Sequence, residues 1–173
     1  MGHSVELYVE YKVPGGDRFR GMGGRFDLFA PAILSKLGAD SYPGFPAISE
    51  FRGMPSDLSD DVIEEYGIFV FDEAPDAHRC YSSEDAERWI ASGKSTVLKD
   101  GWVSDPDYYW QSWLTGSEFM EAASETDRLF IDSDVAPDFY TMRCIASMMK
   151  TLINAECEVR AVYWFCGLDL GGK

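Results

Sequence analysis

The chain has 173 residues, 46% hydrophobic and 14% aromatic, which excludes a disordered chain and suits one globular domain, 1–173, with a true core. Its formal charge of −15 argues against direct nucleic-acid binding and against an anionic membrane surface, because phosphate recognition needs an excess of Lys and Arg. No stretch approaches the ~20 apolar residues of a membrane span, no leader pattern opens the sequence, and the four cysteines contain no Cys-x-x-Cys pair, so a cytoplasmic protein with reduced thiols is expected.

Val5 to Val13 alternates, with Val5, Leu7, Val9, Tyr11 and Val13 on one face and Glu6, Tyr8, Glu10 and Lys12 on the other, which predicts a half-exposed strand. Pro14-Gly-Gly-Asp17 ends it in a turn. The glycines of Phe19–Arg25 lack the spacing of a phosphate-binding loop and read as a flexible connection. Leu28, Phe29, Ile33, Leu34 and Leu37 predict a short helix capped by Asp27, delayed by Pro31 and stopped at Gly38. Ser41–Pro55, with three prolines, reads as a long irregular loop, a common place for function.

Ser59 is a cap for an acidic helix over Asp60–Tyr66, which lacks the ligand alternation of a calcium loop. Ile68–Phe71 predicts a short strand. Ser82 or Ser83 caps a helix over Glu84–Ala91 that would bury Trp89 and Ile90 and stop at Gly93. Asp100-Gly101 joins Thr96–Leu98 to Trp102–Val103 as a hairpin. Thr115 and Glu118 have capping-box spacing for a helix through about Ser124. Leu129–Ile131 fits a helix end or a strand.

Met142, Ile145, Met149, Leu152 and Ile153 mark one buried face of a long helix beginning near Pro137. Glu158–Cys166 is β-branched and aromatic on both faces, an interior strand. Cys144 and Cys166 fall in apolar patterns and are expected to be buried thiols. The first and last strands are expected to share a sheet. The fold class is α+β, with a mixed or antiparallel sheet and helices packed against it.

Five segments in this order carry a resemblance: Met1-Gly2 with Leu7-Tyr-Val-Glu10, then Arg25-Phe-Asp-Leu-Phe-Ala30, Ala47–Ser59, Tyr109–Glu118 and Val159–Phe165. Together they are similar to a family of small phage and bacterial proteins that typically open Met-Gly-Cys-Asp-Ile-His. Several polar positions of that family are replaced here. Its opening Cys-Asp-Ile-His becomes His3-Ser-Val-Glu6, a later His becomes Tyr109, and its closing Asp-Asn becomes Cys166-Gly167. The resemblance implies no established activity. His3 and Glu6, with only His78 as a further histidine, form no ligand cluster, so neither a metal nor a cofactor is expected.

The candidate ligand- or partner-binding residues are Arg25, Arg52, Asp57, Tyr109, Trp110, Gln111 and Ser112. Arg52 has two readings: it clamps the loop by bidentate bonding to a carboxylate such as Asp57, or it joins Arg25 in holding a phosphate or carboxylate. Tyr108–Trp113 is a dense aromatic run in which Trp113 and Leu114 suit a core, while Tyr109 and Trp110 suit core packing, a partner surface or base stacking. No nucleophile–base pair stands out, although a dyad of Cys80 with His78 is conceivable.

The expected function is that of a non-catalytic, phage- or prophage-type accessory protein in the host-cell cytoplasm. It would bind a host protein or a small anionic ligand and counteract a host defence. The alternatives are a small enzyme acting on a nucleotide or other phosphorylated substrate, with Arg25 and Arg52 in a polar cleft, and an acidic inhibitor that mimics DNA. A pocket lined by Arg25, Arg52, Asp57 and Ser112 would favour ligand or enzyme work, and arginines held in internal pairs would favour a scaffolding role.

Overall fold

The first and last strands of the chain lie side by side. A computed structural model describes residues 3–38, 44, 46–70, 81–126 and 136–167. In it β1 (His3–Lys12) and β8 (Glu158–Gly167) run antiparallel in unbroken register from the His3–Gly167 pair to the Lys12–Glu158 pair. On the far side of β1 lie two short strands, β2 (Arg20–Gly21) and β3 (Phe26–Leu28), and on the far side of β8 lies β7 (Tyr108–Thr115). All these pairings are antiparallel. The fold is therefore α+β, with both termini of the described chain in one sheet.

One face of this sheet carries Val5, Leu7 and Val9 of β1 and Val159, Ala161, Tyr163 and Phe165 of β8, all buried. The long helix α5 (Ala136–Asn154) covers it with Met142, Ile145 and Met149, the face its periodicity predicts. Helices α4 (Gly116–Thr126) and α1 (Pro31–Lys36) complete the layer with Phe119, Ile33 and Leu34. Each large side chain buried here contributes about 1.5–3 kcal/mol of transfer free energy. Pro31 opens α1, where its missing N–H does no harm. Ala30 offers the helix no side-chain cap. The neighbouring amides of Phe29 and Ala30 instead donate to Asp138 Oδ2 of α5, at 2.5 and 2.6 Å. Lys36, buried at the end of α1, is ion-paired with Glu125 of α4.

The polar alternation of β1 predicted that its opposite face would meet solvent, but that face is covered. Glu6, Tyr8 and Glu10 are all buried. Helix α2 (Asp60–Tyr66) packs Val62 and Tyr66 against Tyr8, Val162 and Trp164, and Met54 and Leu58 of the preceding loop join them. The two glutamates tolerate burial because partners reach them. Glu10 accepts from Arg160 Nε at 2.6 Å and from the Ser59 amide at 2.7 Å. Glu6 accepts from Trp164 Nε1 at 3.0 Å and pairs with Arg25 at 3.2 Å. A buried carboxylate without such donors would lose its charge or destabilise the fold.

A second, three-stranded antiparallel sheet follows α2. It consists of β4 (Gly67–Phe69), β6 (Trp102–Ser104) and β5 (Val97–Lys99), in that order. The β5–β6 hairpin turns at Gly101, with φ 75°. Helix α3 (Ser83–Ala91) is capped by Ser82 in a box with Asp85. Among the described residues it buries Ala86 against Ile68 and Val103, and leaves Trp89 half-buried and Ile90, expected in the core, exposed.

Three further expectations are corrected. Leu28 belongs to β3, paired opposite Val5, and the helix starts only at Pro31. Asp27 caps nothing there and instead pairs with Arg25. Cys144 is exposed, since at two positions beyond Met142 and one before Ile145 it falls off the buried stripe of the helix; Cys166 is half-buried. His78, Cys80, Phe71, the 129–131 segment and the His3 side chain lie outside the described residues. Among the described residues no helix is long and apolar enough to cross a membrane, and no cluster of His, Cys, Asp and Glu has the makings of a metal centre.

Candidate functional site

The aromatic run Tyr108–Trp113 lies on β7, and its ladder with β8 is interrupted. Tyr109 stands opposite Phe165 and Ser112 opposite Tyr163, so Trp110 and Gln111 together face the single residue Trp164. This is a β-bulge, a device that re-aims a side chain. Trp110 takes φ 51°, a left-handed conformation that costs a bulky L-residue about 1–2 kcal/mol. The Gln111 amide folds back and donates to the Tyr108 carbonyl at 3.0 Å. The Trp110 side chain is thrown outward and is 42% exposed.

Phe51, from the loop before α2, stacks on Trp110 with ring centroids 5.9 Å apart and planes 15° from parallel. Both rings meet the fully buried Phe165 edge to face, at 5.9 and 5.7 Å. Tyr109 adds a further edge contact to Trp110 at 5.0 Å. An exposed pair of rings is thus seated on a core ring and held in place. Beside Phe51 opens a cleft of about 410 Å³ lined by Gly38, Ala47, Ser49 and Glu50. Gly38 adopts φ +103°, and a Cβ there would come within 3.0 Å of the Phe51 ring, so glycine is needed both to end α1 and to seat Phe51.

The next residue fastens this loop to the outer strand. The Arg52 amide donates to Ser112 Oγ at 3.0 Å, and its guanidinium lies over the Trp113 ring, 4.9 Å from the centroid. The guanidinium grips Glu118 in a bidentate pair, at 2.9 and 2.5 Å. Glu118 also accepts from the Thr115 amide and hydroxyl, closing the capping box of α4. The Arg52 hydrogen bond, aided by the Thr115 donors, outweighs burial and holds the Glu118 carboxyl at about 2. Ser112 is fully buried beside Tyr163, whose hydroxyl donates to the Leu37 carbonyl at 3.1 Å and is pushed up to about 12 by burial.

Arg52 is therefore a loop clamp, with Glu118 rather than Asp57 as its partner. Asp57 belongs to Arg160, which donates to its carboxylate at 2.7 Å and to its carbonyl at 2.9 Å. Burial acts to raise the Asp57 carboxyl, but the Arg160 bond and charge prevail and lower it. Arg25 lies elsewhere, on the β3 side of the sheet, between Glu6 at 3.2 Å and Asp27 at 2.9 Å. Arg52, Ser112, Tyr109 and Trp110 thus come together around β7, while Arg25 and Asp57 take part in two separate internal pairs.

Sequence reasoning missed Phe51, Glu118 and Arg160. Arg160 carried a usable signal: an arginine in a strand apolar on both faces requires a carboxylate from a neighbouring strand, and Glu10 is its direct register partner. Phe51 carried a weaker one, an aromatic residue between two charged ones in a Pro-rich loop.

Comparison of the chain with protein-family models, curated proteins and solved structures gives no match.

Proposed function

We propose that this chain is a non-catalytic binding protein that engages a partner protein through the Phe51–Trp110 face. One observation carries the reading: an aromatic pair is held outward on a strained, left-handed tryptophan and braced from below by a core ring. Interface anchors are typically rigid aromatic side chains that lose little freedom on binding. A fold that only needed to close its sheet would place a small or polar residue at the Trp110 position.

The chemistry around the rings favours a basic partner. Glu50 lines the adjoining cleft, Asp105 and Asp107 precede β7, and the chain carries a charge of −15. A cationic surface would be steered toward this face, and Lys or Arg side chains would stack on Trp110. In line with the resemblance to phage and bacterial proteins, we propose a phage- or prophage-type accessory role in the host cytoplasm, where capture of a host protein counteracts a defence. Holding an anion between Arg25 and Arg52 has less support, since both guanidiniums are occupied by carboxylates. DNA mimicry also has less, since Glu6, Glu10, Asp57, Asp61, Glu118 and Asp138 are committed to bonds within the fold.

The test is affinity capture from a bacterial lysate with the parent chain, Phe51→Ser, Trp110→Gly and the surface control Tyr140→Ser. A basic protein retained by the parent and the control, and lost by the other two, is the expected result. Equal retention by all four chains would overturn the reading.

A further inference from the structure

A second cleft, of about 570 Å³, opens on the far side of the sheet from β7, between β2 and the start of α2. Its lining includes Tyr11, Arg18, Arg20, Ser59, Asp60 and Asp61. The two carboxylates are already engaged. Asp60 pairs with Lys99 at 2.6 Å, and Asp61 accepts from the Gly21 amide at 2.9 Å. Arg18 and Arg20 are exposed, and among the described residues neither makes an ion pair. Arg18 and Arg20, two residues apart and both lining the cleft, are thus left over from the ion pairs among the described residues, although Arg18 also lies near enough to Asp60 to help lower its carboxyl.

The frame that carries them is fixed. Phe19, between the two arginines, is buried, with the Arg160 guanidinium 3.7 Å and the Lys12 ammonium 4.9 Å from its ring centre. Those two cations are paired with Glu10, Asp57 and Glu158. Tyr11 stands opposite Arg20 in the β1–β2 register, and the Met22 amide donates to the Val9 carbonyl at 2.9 Å. Gly21 lets β2 approach α2, since a Cβ there would lie 2.9 Å from that of Asp61.

We propose that this cleft binds the phosphate of a small phosphomonoester, with Arg18 and Arg20 as its cationic ligands. Guanidinium forks match phosphate oxygens in charge and geometry. The volume is that of a small-molecule site. A polyanion is disfavoured, because the surrounding net charge of −15 repels a long phosphate chain, while one phosphoryl group needs only the local pair. The site is independent of the Phe51–Trp110 face and stands or falls without it.

Titration of the full chain with phenyl phosphate, followed by amide and arginine Nε–H resonances, tests the proposal. Saturable shifts at Gly21, Ser59 and the two guanidiniums are expected. Arg18→Gln/Arg20→Gln, at exposed positions that leave the core alone, should bind about tenfold or more weakly, and Arg88→Gln on α3 should bind like the parent. A single-stranded oligonucleotide should give no saturable shift. Absence of saturation with phenyl phosphate, equal binding by the double variant, or tighter binding of the oligonucleotide would each overturn the assignment.

Discussion

Arg160 Nε lies 2.6 Å from Glu10 Oε2 between the two central strands, and neither side chain is open to solvent. The same guanidinium holds Asp57 through its carboxylate and its carbonyl. One arginine therefore ties the loop before α2 to the middle of the sheet, and the Ser59 amide at the start of that helix completes the coordination of Glu10.

Removing Arg160 takes away the ionic partner of the buried Glu10 and leaves it only the Ser59 amide. Arg160→Met should cost about 3–5 kcal/mol in urea unfolding. The double variant Glu10→Leu/Arg160→Met should recover a good part of that loss, because it removes both desolvated charges. A single variant as stable as the parent would show that the pair is not buried as described.

The Arg52–Glu118 pair gives stability a defined pH dependence. Its carboxyl lies at about 2 in the fold, against an ordinary 4.5, because Arg52 donates to it. The unfolded chain takes up that proton more readily than the folded one. The stabilisation is therefore complete above about pH 4.5 and fades as the pH falls toward about 2. Glu118→Gln should flatten this part of the stability–pH curve, and at neutral pH it should lose about 1–2 kcal/mol, since the pair is partly screened by solvent. Parallel acid titrations of the two chains, monitored by circular dichroism, check this.

The left-handed Trp110 inverts the usual ranking of substitutions in a strand. Trp110→Gly removes the ring contacts but also the backbone strain, whereas Trp110→Ala removes the contacts and keeps the strain. The glycine variant should be the more stable of the two by about 1 kcal/mol. Alanine outranking glycine in thermal denaturation would contradict the φ of 51°.

Cys144 and Cys166 should differ in reactivity. Burial pushes the Cys166 thiol up, Glu6 and Asp27 add to this against a lowering bond from Ser4, and its Sγ shares a 2.9 Å hydrogen bond with Ser4 Oγ. Cys144 is exposed. Alkylation proceeds through the thiolate, so iodoacetamide at about pH 8 should label Cys144 well before Cys166, as read by peptide mass spectrometry.

Much of this architecture was legible in local patterns. The alternation of Val5, Leu7 and Val9, the Met142–Met149 stripe and the Ser59, Ser82 and Thr115 caps all depend on neighbours a few residues away, and they point to the elements observed. The burial of Glu6 and Glu10 was not legible from their own neighbours, because their partners Trp164 and Arg160 lie 158 and 150 positions along the chain, and only Arg160 in its apolar strand hinted at it. Leu28 matches a helical stripe in spacing, yet pairing with Val5 draws it into β3. The site divides in the same way. The aromatic run on β7 was visible as composition, but the bulge that turns Trp110 outward, and the Phe51 ring that meets it, arise only when β7 is laid against β8 and the loop closes over it.

Site-specific photo-crosslinking in bacterial cells tests the binding face most directly, with a benzophenone amino acid placed at position 110 in one chain and at position 140 in another. A discrete protein adduct from position 110, absent from position 140, is the predicted result. No adduct at 110, or the same adducts from both positions, would contradict the claim that the Phe51–Trp110 face is where this protein meets its partner.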